Sequence, residues 1–139
     1  MSIIGTNFTK INVEKKEHTG KVSIKNNTVI TDLKKLSLNI GKSTSNGVKF
    51  TFKHTTTYEP NVATMVFEGE VLFLADQKAT DELLDNWKNK KPIEEKVMIG
   101  VMNHAMRKAT IKALELSEDF NLPSPVKLPK VTKTLPAKK

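Results

Sequence analysis

The sequence predicts an α+β protein in which a four-stranded antiparallel sheet is followed by two helices packed on one of its faces. In the first half of the 139-residue chain, apolar and polar residues alternate, a pattern typical of half-buried strands. In the second half, apolar residues recur every three or four positions, as in amphipathic helices. Strands that precede helices, rather than alternating with them, favour an antiparallel sheet covered on one side.

The strand patterns are short and are separated by turn residues. They contain Ile11 and Val13, Val22 and Ile24, Leu36 to Ile40, and Val48 to Phe52. The stretch from Val29 to Ile40 is less regular, and its start predicts a short turn or a crossover. Gly41 to Gly47 (GKSTSNG) predicts a loop, and Tyr58 to Asn61, which contains a proline, predicts a turn.

The longest strand pattern runs from Ala63 to Ala75. One of its faces is apolar, whereas the other begins and ends apolar but carries Glu68 and Glu70 in the middle. Gly69, between the two acids, predicts a bulge. A strand that is apolar on much of both faces needs cover on both sides. We therefore expect helices on one side of the sheet and a second subunit on the other.

Two amphipathic helices follow the sheet. The first begins near Asp76 and ends around Lys88 to Lys91, with acids early and lysines late, as the helix dipole favours. The second is expected to begin at Pro92, a residue suited to a first helical turn, and to run to about Leu116. Its apolar arc covers roughly 180°, wider than the stripe that a surface helix needs. The excess predicts a contact with a partner or a ligand.

The end of the chain contains four prolines and is rich in lysine. Prolines at 123, 125, 129 and 136 predict an extended, polyproline-like arm. The formal net charge is +8, and the stretch from Val126 to Lys139 contains five lysines and no acid. We expect one domain over residues 1–126 and a basic tail over 127–139. Such a tail suits either a solvated, disordered end or contact with nucleic acid or an acidic partner.

The absence of cysteine excludes disulfides, thiolate nucleophiles and cysteine-ligated metals. It also fits a reducing compartment. The chain does not open with a signal-peptide pattern, and no stretch is long and apolar enough to span a membrane. These features predict a cytoplasmic protein.

No catalytic apparatus is recognisable in the sequence. His18, His54 and His104 lie far apart and lack the spacing of a metal site, and no phosphate-binding loop or nucleophile elbow occurs. Glu68 and Glu70 share a strand face, as an acid–base pair would, but a polar patch on a sheet explains them more simply. We expect a protein that is not an enzyme and that holds no metal or cofactor.

Two binding functions remain open from the residues alone. Lys49 and Lys53 on one strand face, together with the basic tail, suggest a nucleic-acid-associated or ribosome-associated module. However, Phe50 and Phe52 point to the other face and cannot stack on bases there. The alternative is polypeptide binding, indicated by a methionine ridge (Met98, Met102 and Met106) along the second helix. Thioether side chains adapt to varied apolar surfaces, although they also fill cores.

The arrangement of four strands, a short helix, a longer helix and a proline-rich end resembles the SecB family of export chaperones. The resemblance is most specific in VATMVFEGEVLFLAD, which is similar to that family's fourth strand. It continues in EDFNLPSPVKLPKV, where Phe120 and Asn121-Leu122-Pro123 lead out of the last helix, followed by Pro125 and Val126. The similarity in topology covers roughly residues 8 to 126.

This resemblance implies a holdase that binds unfolded or nascent polypeptides in apolar grooves without ATP, within a homotetramer built as a dimer of dimers. By position, the polypeptide-binding residues would be Leu33, Leu36, Leu38, Met98, Met102 and Met106. Leu83, Leu84 and Trp87 of the first helix would lie at the subunit interface. Typical members are acidic and dock the translocation ATPase through an acidic sheet face. This chain is basic, so its docking partner would differ.

Overall fold

The computed structural model describes residues 2–17, 20–41 and 43–129. Its six elements are the strands β1 (Ser2–Lys15), β2 (Ser23–Ile40), β3 (Ser43–Glu59) and β4 (Ala63–Leu74) and the helices α1 (Gln77–Lys88) and α2 (Glu95–Asp119). The strands form one antiparallel sheet in the order β1-β4-β3-β2, so β1 and β2 are the edge strands.

The helices pack on one face of this sheet, as the sequence predicts. Helix α2 contacts all four strands, and α1 contacts β2 and β3. The buried stripe of α2 repeats every four residues and consists of Val97, Val101, Ala105, Ala109, Ala113 and Ser117. The small residues in this stripe let the helix approach the aromatic side chains of the sheet closely. The predicted α+β fold is therefore confirmed.

The inner face of the sheet is lined by unusually large side chains. Phe50, Phe52 and Tyr58 of β3 and Met65 and Phe67 of β4 are completely buried between the sheet and α2. They belong to two clusters, one under the first half of α2 and α1, the other under the second half of α2. The alternation in the sequence predicts Phe50, Phe52, Met65 and Phe67 correctly. Tyr58 was expected in a turn, but β3 continues to Glu59 and buries the Tyr58 side chain in the second cluster.

The structure corrects two expectations about irregular segments. Strand β2 is continuous from Ser23 to Ile40, with no crossover. A register shift between Ile30 and Asp32 adds one residue, Thr31, and this breaks the period-two pattern that would have marked a strand. The predicted loop from Gly41 to Gly47 is also shorter, because β3 already begins at Ser43.

The bulge that Gly69 predicted lies on the neighbouring strand instead. The register of β1 against β4 shifts between Ile3 and Gly5 and again between Phe8 and Lys10, whereas Gly69 pairs regularly with Phe8 and Phe52. Gly69 is needed for a different reason. A Cβ there would meet the backbone oxygen of Asn7 and lie 2.8 Å from the ring of Phe52.

The helix ends follow local capping rules. Asp76 caps α1, since its carboxylate accepts a hydrogen bond from the Ala79 N–H at 2.7 Å. Helix α2 begins at Glu95, so Pro92 precedes it rather than occupying its first turn as predicted. At its other end, Asn121 adopts a φ of 54°, and the Leu122 N–H donates to the Ser117 carbonyl at 2.8 Å. This is the Schellman pattern of helix termination.

The segment after α2 returns across the sheet without helix or strand structure up to Pro129. Leu122 is buried in the second cluster, and the Tyr58 hydroxyl donates to the Pro123 carbonyl at 2.7 Å. The predicted tail over 127–139 falls outside the described residues from 130 onward, so that boundary stays a prediction. No helix in the described ranges is long and apolar enough to cross a membrane.

Candidate binding groove

An open groove of about 820 Å³ lies between edge strand β1 and helix α2. Its β1 side consists of the consecutive residues from Ile3 to Phe8. Its α2 side consists of His104, Arg107, Lys108, Ile111, Lys112 and Glu115. We call this feature the β1–α2 groove.

The groove reaches the backbone of β1 as well as its side chains. Neighbouring residues of a strand point to opposite faces, yet all six residues from Ile3 to Phe8 line it. Because β1 is an edge strand, the backbone N–H and C=O groups that point away from β4 have no strand partner among the described residues. An edge of this kind can accept an added strand.

The apolar part of the groove is solvent-accessible. Ile4 is 46% exposed and Ile111 is 53% exposed, and the partly buried Ile3 and Phe8 pack against the core beneath them. The register shift that inserts Ile4 into β1 places this residue next to the groove. The hydroxyl oxygen of Thr6, also in the lining, is buried and has no hydrogen-bond partner in the described part of the chain.

The leucines assigned to polypeptide binding in β2 do not share one surface. Leu33 pairs with Phe50 and is buried in the core under the helices. Leu36 and Leu38 pair with Gly47 and Ser45, which puts them on the opposite face of the sheet. Leu36 is buried there and Leu38 is half-buried. The three leucines therefore form no continuous site with one another.

The methionine ridge lies on the flank of α2 that faces away from the β1–α2 groove. Each methionine of the ridge follows a residue of the buried stripe by one position. Gly100, His104 and Lys108 each come one position before a residue of the stripe, and they lie on the side of α2 that faces β1. Met98 and Met102 are half-buried, and Met106 is 44% exposed. The ridge thus offers some apolar surface, but not to this groove.

The residues assigned to a subunit interface are engaged within their own chain. Leu83 is buried in the first core cluster, and Leu84 and Trp87 are partly buried against it. Only the remaining exposed parts of Leu84 and Trp87 are open to a neighbouring subunit.

The outer face of the sheet carries mixed charge. Lys49 forms an ion pair with Glu70 at 3.5 Å, and Lys53 pairs in register with Glu68. The two glutamates point to this outer face as predicted. Neighbouring charges of opposite sign make the face a poor match for nucleic acid, which requires a continuous basic surface. Within the described ranges, no group of three metal-ligating side chains occurs.

A buried polar chain joins β2 to β3 under the helices. His54 contacts the Thr28 hydroxyl through Nδ1 at 2.6 Å and the Thr56 hydroxyl through Nε2 at 3.2 Å. The Thr56 hydroxyl donates to the side-chain oxygen of Asn26 at 2.7 Å. Burial lowers the pKa of His54, and its ring stacks on Phe67. This histidine belongs to the core rather than to a site.

Sequence reasoning missed the β1–α2 groove because its two walls lie about a hundred residues apart in the chain. Regular alternation of apolar and polar residues begins only at Lys10. Ile3, Ile4 and Phe8 were the available signal, but the two register shifts in β1 break their periodicity. On α2, Ile111 shares the groove lining with five charged or polar residues, so it does not extend an apolar stripe of the helix.

Comparison with known proteins supports the fold. No family model matches the chain, and no match is found among curated proteins. Among solved structures, the chain is similar to the SecB-like chaperone Rv1957 of Mycobacterium tuberculosis, in complex with a ChAD peptide from the Rv1956 HigA1 antitoxin. The TM-score is 0.53 at 12% identity, over 94% of this chain and 90% of that one. The chain therefore has a SecB-like fold.

Proposed function

We propose that this protein is an ATP-independent chaperone that holds unfolded or nascent polypeptides, with an extended client segment bound in the β1–α2 groove. The observation that carries the proposal is the combination of an open strand edge with exposed apolar side chains in one groove. A strand edge offers hydrogen bonds to any backbone, irrespective of sequence. A chaperone with many clients requires such sequence-independent contacts.

The structural neighbour adds support, since it is a SecB-like chaperone bound to a peptide. A holdase acts by physical association alone. Each Å² of apolar surface that client and groove remove from water contributes about 25 cal/mol, so one groove binds weakly. Several grooves in a homotetramer, arranged as a dimer of dimers, would hold a long client more tightly through effective concentration.

The methionine ridge is proposed as a second apolar contact, for a client or for a neighbouring subunit. The exposed parts of Leu84 and Trp87 are proposed to contribute to assembly. Action in the cytoplasm, a role in protein export and the function of the basic tail are further predictions of this proposal. None of them is needed for the groove to bind a client.

Suppression of aggregation tests the function. A denatured client protein is diluted into buffer with and without equimolar chaperone subunits, and light scattering is followed. The wild-type protein should reduce scattering. Ile111→Asp should lose most of this effect, because it places a charge in the apolar part of the groove.

Ile99→Asp is the matched control, since Ile99 is 52% exposed on the same helix and lies outside the groove lining. This variant should keep the activity of the wild type. Circular dichroism would verify that both variants fold. Absence of suppression by the wild-type protein would refute the chaperone function, and equal losses in the two variants would refute the assignment of the groove.

A further inference from the structure

The β1–α2 groove is basic as well as apolar. Arg107, Lys108 and Lys112 project from α2 into its lining, against one acid, Glu115. Lys112 is paired with Glu115 at 3.3 Å. Neither Arg107 nor Lys108 takes part in an ion pair among the described residues. Two exposed cations therefore remain uncompensated beside the exposed isoleucines.

We propose that the groove selects extended segments that combine apolar with acidic side chains. This inference rests on the function proposed above and specifies its client. In a segment added to the edge of β1, every second side chain would point toward α2. Those side chains would meet both Ile111 and the cations of the helix. In a segment with aliphatic and carboxylate side chains at alternating inward positions, the aliphatic side chains would contact Ile111 and the carboxylates would pair with the cations.

The length of the groove sets the length of the segment. The lining of β1 runs from Ile3 to Phe8, six consecutive residues of an antiparallel strand. Because Ile4 is inserted at a register shift, these six residues pair with only five residues of β4. At roughly 3.4 Å per strand position, the lining extends for about 17 Å. About five client residues would therefore lie within the groove, with two or three of their side chains directed at α2.

A second copy of this chain is a less suitable occupant. Its β1 carries Lys10 and Lys15 against a single acid, Glu14, and the chain as a whole carries +8. The part of β1 that lines the groove, Ile3 to Phe8, contains no acid, so a second β1 strand placed there would leave Arg107 and Lys108 uncompensated. An acidic segment instead neutralises Arg107 and Lys108 when it binds.

Peptide binding tests the selectivity. The probes are fluorescent peptides of about ten residues in which serine occupies every second position and leucine alternates with glutamate, glutamine or lysine at the others. The glutamate peptide should bind about tenfold more tightly than the lysine peptide at low salt. The difference should shrink as the salt concentration rises from about 50 to about 500 mM, because both cations are exposed to solvent.

Charge reversal at the groove provides the structural control. The double variant Arg107→Glu with Lys108→Glu should bind the lysine peptide more tightly than the glutamate peptide. Lys91→Glu with Lys96→Glu changes the net charge equally at exposed positions outside the groove lining and should keep the original order. Reversal in both double variants would show a general charge effect and overturn the proposal.

Three further outcomes distinguish a failure of the acidic selectivity from a failure of the proposed chaperone function. If all three peptides bind with equal affinity and Ile111→Asp abolishes binding, the groove is the client site but the acidic selectivity is refuted. If no peptide binds and the wild-type protein also fails to suppress aggregation, the function itself is refuted. If sedimentation shows that self-association blocks peptide binding, a second copy occupies the groove and the proposal is wrong.

Discussion

His54 illustrates how a single polar residue is accommodated in the aromatic core. It occupies an inward position of β3 between Phe52 and Thr56, where its neighbours along the strand are fully buried. Both ring nitrogens have hydroxyl partners, from Thr28 and Thr56, so burial leaves neither of them unsatisfied. Because His54 lies two residues after the inward-facing Phe52, the alternation of the strand predicts that its side chain also points inward. The hydroxyl partner on β2 could not be predicted, since it depends on the register between β2 and β3.

The pH dependence of stability should report on this histidine. Because burial lowers its pKa below the ordinary 6.5, the unfolded chain binds a proton more readily than the folded one. The free energy of unfolding should be highest above pH 6.5 and should fall as the pH drops through and below that value. Urea unfolding at pH 7.5 and 5.5 measures the change. His54→Gln should flatten the slope, and an unchanged slope would contradict this assignment.

At the scale of elements, a strand can be predicted from the sequence only where its alternation of apolar and polar residues is regular. Strands β3 and β4 keep an unbroken period of two where they pair with each other, and the sequence predicts the apolar inward residues of β4 and those of β3 up to Phe52. The buried Tyr58 was not predictable in this way, because the neighbouring Pro60 and Asn61 indicate a turn. Strands β1 and β2 contain register shifts that change the phase of the pattern, so their full lengths were not predictable. Glycine at position 69 signalled a local constraint correctly, but its cause is the close approach of β1 and the Phe52 ring.

Substitution of Gly69 tests how tightly these strands pack. Gly69→Ala should destabilise the protein by about 1–3 kcal/mol, since the added methyl group overlaps the Asn7 backbone and the Phe52 ring. Gly5→Ala is the matched control in β1, where a Cβ meets nothing within 4 Å, and should change stability by less than about 0.5 kcal/mol. Equal effects on the urea midpoint would contradict the proposed close contact.

At the scale of the whole molecule, the candidate site arises from tertiary structure alone. The N-terminal strand joins the sheet beside β4 and thereby comes to lie along α2, which is far away in sequence. The order of strands and helices predicted the fold class, but the spatial order β1-β4-β3-β2 was needed to identify the groove. The expected second subunit stays a prediction. The half-buried Val66, Leu72 and Leu74 on the outer face of the sheet are the surface that it would cover.

Methyl NMR of the protein with labelled isoleucine and methionine tests the central claim most directly, because it locates the client on the folded chain. Addition of an unfolded client should shift or broaden the methyl signals of Ile3, Ile4 and Ile111 in the β1–α2 groove. The signal of Ile99, which is equally exposed on the same helix but lies outside the groove lining, should stay unchanged. Perturbation confined to the methionine ridge, or none at all, would contradict the assignment of the groove as the client site.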